Sequence, residues 1–148
     1  MSGSVQLTDA LPHGRVVLGL GIDLCEVDRI AAAVARHGDR FLARVYREGE
    51  IRRPRGSPTF AEHLAGLFAA KEAAMKALGT GMKGVAFTEV AVTRARGGPP
   101  RMALFGRAEE RARTLGISAA HVTITHTSTT AAAVVLFLGG VPLDSAPG

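Results

Sequence analysis

The sequence predicts one small α/β (α+β) domain, and three observations carry that reading. VVLGLGIDL at 16–24 alternates as a strand does. Residues 60–78 form one long apolar stretch at helical spacing. The second half of the chain repeats short strand-like runs, VAFTEVAVT, RMALF, HVTIT and AAAVVLFL, separated by turn signals that favour antiparallel pairing. A length of 148 residues suits a single core.

In the first strand the alternation puts Leu18, Leu20, Ile22 and Leu24 on one face and Val17, Gly19, Gly21 and Asp23 on the other, the pattern of a half-buried strand. A helix follows at about 26–37, where Val27, Ile30, Ala31 and Val34 keep helical spacing and Gly38 is the stop. A second, short helix covers 39–46. REGEIRRPRGSP then reads as a polar surface loop. The long helix starts at Thr59 or Phe60, with Thr59 as N-cap three residues before Glu62, and ends at Leu78 before Gly79. After the glycine-rich GTGMKG come strands at 85–93 and 101–105 joined by the hairpin signal ARGGPP, a helix at 106–115, and strands at 121–125 and 131–138 around HTST. The domain is thus expected over 16–139, with 1–15 and 140–148 as flexible termini.

Composition narrows the function. Cys25 is the only cysteine, which excludes an intramolecular disulfide framework and a cysteine-rich zinc site and fits a reducing cytosol. The N-terminus lacks a basic-then-apolar leader, and AAAVVLFL is far short of a bilayer span, so a cytoplasmic protein with no membrane partner is expected. The net charge of +5 points to an anionic partner. Arginines 29, 36, 40, 44, 47, 52, 53 and 55 crowd one quarter of the chain, with only Phe41 and Tyr46 as aromatics among them. That is not the interleaving a single-strand binder uses, so no nucleic acid is expected.

The long helix has no ordinary solvated face, yet it carries Lys71, Glu72 and Lys76. A surface Glu72–Lys76 pair at i,i+4 is worth roughly 0.2–0.5 kcal/mol and wants solvent. An unpartnered ion in apolar surroundings costs several kcal/mol. A divalent cation with a phosphate resolves this: Glu72 and a second carboxylate such as Asp23 hold Mg²⁺ through hard oxygens, while Lys71 or Lys76 meets phosphate charge. Asp23 with Glu26 also reads as a helix capping box, while the bare Gly19 and Gly21 beside it admit something bulky or anionic. Gly79-Thr80-Gly81, with Lys83 after it, is either a helix stop or a phosphate contact, and lacks P-loop spacing. His126 ends a strand in phase with Val122 and Ile124, as a hydrogen-bonded core residue or a ligand.

GLGIDLCEVDRI, LAGLFAAKEAAMKALGTG and HVTITHT, in that order and spacing, resemble the holo-(acyl-carrier-protein) synthase family, the small bacterial 4′-phosphopantetheinyl transferases, over about residues 17–138. The resemblance implies a transferase-like fold that forms homotrimers with the site at the subunit seam. It implies Mg²⁺ on Asp23 and Glu72, and coenzyme A with its pyrophosphate on the metal. Lys71, Lys76, Gly79, Thr80, Gly81 and His126 would hold the coenzyme. A serine of an apo acyl carrier protein attacks the pyrophosphate and adenosine 3′,5′-bisphosphate leaves. The base is left open among Glu72, a metal-bound water and Lys76, and the carrier between fatty-acid and polyketide synthesis. Carrier proteins are acidic, and Arg29, Arg40, Phe41 and Arg44 match the family's docking patch. The family commonly has Arg before the Phe of the helix motif where this chain has Leu67, so Arg52, Arg53 or Arg55 would have to replace a phosphate contact. That departure motivates the alternative of a non-catalytic coenzyme A or carrier-protein binding protein.

Overall fold

The long helix is the axis on which the rest is assembled. In the computed structural model, which describes Ser4, 14–80 and 84–140, the chain runs through β1 (Val16–Glu26), α1 (Val27–His37), α2 (Asp39–Val45), α3 (Phe60–Leu78), a 3-10 turn (Phe87–Glu89), β2 (Val90–Arg94), β3 (Pro100–Leu104), α4 (Gly106–Leu115), β4 (Ile117–His126) and β5 (Thr130–Gly139). Most of the expected termini and Gly81 lie outside the described residues. All pairing is antiparallel: β1, β5 and β4 form one sheet in that order, and β2 and β3 form a hairpin. The α/β expectation holds, with two local differences. Residues 87–89 are a turn rather than part of a strand, and β4 starts at Ile117, directly after the αL glycine Gly116 that stops α4.

Fourteen of the 19 residues of α3 are buried, against β1, β5 and β4 on one side and α1 and β2 on others. An alanine-rich helix suits this place because small side chains let backbones come close. The approach is closest at β1. A Cβ on Gly21 would lie 1.8 Å from the Ala73 carbonyl oxygen, and one on Gly19 would lie 2.1 Å from that of Ala77. These glycines make room for the helix itself, not for a bulky or anionic ligand.

That contact decides which face of β1 is buried. Gly21, Asp23 and Cys25 turn inward on α3, while Leu20, Ile22 and Leu24 are 64%, 62% and 68% exposed. Across the sheet these three pair with Leu136, Val134 and Ala132. The outer face therefore carries an apolar stripe two strands wide, bordered on β4 by His121, Thr123 and Thr125.

Neither expected cap forms. Thr59 and Glu26 are N-cap residues without side-chain cap hydrogen bonds, and Asp23 is engaged elsewhere. The start of α4 is capped from a distance instead: the Glu89 carboxylate accepts from the backbone N–H of Arg107 at 2.5 Å and of Ala108 at 3.3 Å.

Lys71 belongs to this framework and not to a coenzyme site. Its Nζ is fully buried and donates to Glu50 Oε1 at 2.6 Å, Val90 O at 2.7 Å and Phe87 O at 3.1 Å, so all three ammonium hydrogens have acceptors. Glu50 in turn accepts from the N–H groups of Arg47 and Val92. The expectation that Lys71 meets phosphate is therefore corrected: its charge ties α3 to β2 and to the turn after α2.

Candidate active site

Because Gly21 and Asp23 share the inward face of β1, the close crossing of α3 brings the Asp23 carboxylate under the last two turns of the helix. Lys76 Nζ donates to Asp23 Oδ1 at 2.9 Å and to the Ile22 carbonyl at 3.0 Å. The second oxygen, Asp23 Oδ2, is buried and has no hydrogen-bond partner among the described residues. Glu72, one helical turn before Lys76, is half-buried. Burial first, and then the Asp23 carboxylate beside it, push the Glu72 carboxyl up to about 7, while Arg29 and Lys76 pull the other way. Two acids facing each other with no donor between them share either a proton or a cation. The Asp23 bond holds the Lys76 ammonium above its ordinary range.

This is a donor set that fits Mg²⁺. The orphaned Oδ2 of Asp23 and the Glu72 carboxylate offer two hard oxygens, and Mg²⁺ characteristically takes one or two carboxylates and completes its shell with water and phosphate. Among the described residues no three His, Cys, Asp or Glu side chains form an all-protein cage, which that mode of binding does not need.

Not every candidate residue joins this cluster. Gly79 adopts a left-handed conformation (φ 74°), its N–H donating to Lys76 O and that of Thr80 to Met75 O, so the helix-stop reading of Gly79 and Thr80 accounts for their backbone. They still lie one turn beyond Lys76. Arg29 does join it: its guanidinium sits 5.8 Å over the Phe68 ring, one turn before Glu72. Arg40 and Arg44 are exposed one turn apart on α2. Phe41 between them is half-buried and packs edge-on against Tyr46 at 6.1 Å, so much of its surface serves the core.

His126 stands apart. Its Nδ1 lies 3.3 Å from Glu62 Oε2 at the other end of α3, beside a cavity of about 550 Å³. Glu62 and Glu72 are ten residues apart, roughly 15 Å along a helix axis, so one chain carries two separated clusters. Sequence reasoning missed Glu50, Glu62, His63 and Arg94. Glu50 sits in a polar loop and Arg94 at a strand end, where composition signals only a surface, and Glu62 and His63 stand in the first turn of α3, where Glu62 reads only as the partner of the Thr59 cap.

A profile of the 4′-phosphopantetheinyl transferase superfamily matches residues 19–134. The chain is 47% identical over 122 residues to the holo-(acyl-carrier-protein) synthase of Koribacter versatilis, covering 82% of this chain and 98% of that protein. It is 50% identical over 125 residues to that of Solidesulfovibrio magneticus, covering 84% and 100%. A crystal structure of the Helicobacter pylori holo-(acyl-carrier-protein) synthase in complex with coenzyme A superposes with a TM-score of 0.69 at 29% identity, covering 80% of this chain and 98% of that one. The chain belongs to the 4′-phosphopantetheinyl transferase superfamily.

Proposed function

We propose that the chain is a holo-(acyl-carrier-protein) synthase. It transfers the 4′-phosphopantetheine group of coenzyme A to a serine of an apo acyl carrier protein and releases adenosine 3′,5′-bisphosphate. The observation that carries this reading is the unpartnered Asp23 Oδ2 beside Glu72 and Lys76. Asp23 and Glu72 would hold Mg²⁺, which when bound supplies a Lewis acid for a diphosphate. Lys76 is fixed by Asp23 and the Ile22 carbonyl, and it offers its remaining ammonium hydrogen to a phosphate oxygen, where charge builds as the bond to the leaving group breaks. In the transfer, the serine oxygen bonds to the phosphorus that carries pantetheine, and the bridging P–O bond breaks toward the nucleotide. The serine proton leaves to Glu72 or to water. Asp23 favours the charged form of Lys76, which supports Glu72 or water over Lys76 as the base.

Arg29, Arg40 and Arg44 receive the acidic carrier, a contact that speeds association and weakens with salt. Residues 16–139 are taken as the catalytic unit, working in the cytoplasm. Among the described residues no helix is long and apolar enough to cross a membrane. Two features support a homotrimer with the site at the seam: the exposed Leu20, Ile22 and Leu24 stripe, and the separation of the His126 cluster from Asp23 within one chain. In such an assembly His126 would complete a neighbour's coenzyme site.

Incubation with coenzyme A, Mg²⁺ and a panel of apo carrier proteins, read by intact mass, tests the proposal. A carrier gaining phosphopantetheine is the expected result. Carrier complex without any mass gain would instead favour a non-catalytic binder, the reading that Leu67 suggests.

A further inference from the structure

Arg47 is turned inward, unlike the exposed Arg40 and Arg44 on the helix before it. Its guanidinium carbon lies 3.7 Å from the centre of the Phe105 ring, and Nη1 donates to the Thr88 carbonyl at 2.9 Å. The planar group meets the ring with its face and the carbonyl with its edge, which makes it a brace and not a solvated charge. Beside it, Tyr46 Oη donates to the Leu64 carbonyl at 2.8 Å. The end of α2 is therefore tied in two places. Tyr46 holds it to α3, while Arg47 holds it to the 87–89 turn and to Phe105, the residue that opens α4.

A helix like α2 needs such ties. Its seven residues are too few to hold a helix by themselves, and the chain enters it through Gly38 at φ 53°, a joint without a Cβ. One anchor would leave it free to pivot; two fix its direction as well as its place. The turn on which Arg47 rests is itself bonded to the framework of the site. Its Phe87 carbonyl accepts from Lys71, the residue before Glu72, and the Phe87 ring stacks at 5.0 Å on Phe68, over which Arg29 sits. Arg29 on α1 and Arg40 and Arg44 on α2 thus take their positions from one short turn. That turn is fixed to the helix that carries Glu72.

We propose that Arg47 is a positioning residue for the acidic carrier: braced on Phe105 and Thr88, it orients α2 so that Arg40 and Arg44 deliver the carrier's serine in line with Glu72. The inference rests on the transferase reading and adds to it a residue that touches neither substrate. Arg47 is not itself a docking charge, because its guanidinium is spent on the ring and the carbonyl. Its loss leaves the acid pair and the coenzyme in place and the carrier misaligned.

Initial transfer rates with an apo carrier that the unsubstituted chain modifies test it. The variants are Arg47→Met, Phe105→Leu and the control Arg113→Met, whose charge is paired with Glu109 on the surface of α4, each checked for folding by circular dichroism at the assay temperature. A loosened docking helix predicts roughly tenfold lower kcat/KM for the carrier in Arg47→Met. Phe105→Leu keeps the Arg47 charge and should lose a similar amount. Calorimetric affinity for coenzyme A should be unchanged in all three, and Arg113→Met should transfer normally. Because Arg47 acts through Arg44, adding Arg44→Met should cost less than about twofold in the Arg47→Met chain against roughly fivefold in the unsubstituted one, a coupling that a general loss of stability does not produce. Should Arg47→Met not fold, Phe105→Leu with and without Arg44→Met makes the same comparison. Additive losses overturn the inference, as does a parallel loss of coenzyme affinity, which marks a structural role only. Full carrier turnover by Phe105→Leu beside a slow Arg47→Met also overturns it, and makes Arg47 a direct docking charge. If Arg47→Met modifies carriers at the normal rate, only this inference falls. If the unsubstituted chain modifies no carrier, the transferase reading falls and takes the inference with it.

Discussion

Replacing Gly21 by alanine tests the contact on which the whole site depends. The added Cβ would stand 1.8 Å from the Ala73 carbonyl oxygen, 2.8 Å from its carbon and 3.1 Å from the Ala77 nitrogen. All three are helix backbone, which has no rotamer to change. An ordinary contact lies near roughly 3.5 Å, so strand and helix must part by about 1.5 Å. Overpacking in cores usually costs about 1–3 kcal/mol, and with rigid backbone on both sides the upper end applies. Against a total stability of about 5–15 kcal/mol, a loss of about 3 kcal/mol lowers the melting temperature by roughly 10 °C. The same displacement carries Asp23 away from Lys76 and Glu72, and misplacement by about 1 Å can cost 10²-fold in rate. Circular dichroism melts and initial transfer rates, corrected for folded fraction, measure both effects. Gly56→Ala is the control, since nothing lies within 4 Å of the Cβ it would add. If Gly21→Ala melts and turns over like Gly56→Ala, the backbone contact is not what aligns the site.

Other perturbations separate the remaining roles. Lys71→Met leaves Glu50 charged and buried, and should cost about 3–5 kcal/mol in urea unfolding, whereas Lys71→Met with Glu50→Gln, which removes the charge and keeps an acceptor oxygen for the backbone N–H groups, should recover part of it; an undisturbed single variant would contradict a structural Lys71. Asp23→Asn and Glu72→Gln should each abolish transfer and Mg²⁺ binding while the circular dichroism spectrum is kept, and full turnover by either would defeat the metal assignment. Ile22→Glu with Leu24→Glu should reduce the mass seen by analytical ultracentrifugation to that of a single chain, if the exposed stripe joins copies. Glu89 should contribute to the acid limb of stability. Partial burial raises its carboxyl, but the N–H groups of Ala86, Arg107 and Ala108 and the Arg107 guanidinium hold it below 4.5 in the folded state. That stability is present above pH 4.5 and is lost as pH falls through the folded value, so Glu89→Gln should flatten the acid end of the pH–stability curve.

Elements and chemistry were legible in different degrees. The 3.6- and 2-residue periods located α3, β1, α4 and β5 nearly to the residue, because periodicity is a local property of the chain. The 85–93 run was harder: Val85 is buried like a strand residue, yet 87–89 close a 3-10 turn whose carbonyl of Phe87 serves Lys71. The misfit of charges on an apolar helix pointed correctly to Lys71, Glu72 and Lys76 as residues in need of partners. It did not tell the partners apart. Lys71 found its own in Glu50, 21 positions earlier, and Lys76 in Asp23, 53 positions earlier.

What the amino-acid order determined by itself was the succession of helices and strands and the presence of two acids and a lysine demanding counter-charge. Only the tertiary structure decided which face of β1 turned inward. Hydrophobicity favoured the face of Leu20, Ile22 and Leu24, but helix and strand backbones can touch only where no Cβ intervenes, and that requirement chose the side of Gly19 and Gly21. The choice carried Asp23 inward to Lys76 and left the apolar side chains facing out, so one steric condition set both the buried acid pair and the exposed stripe.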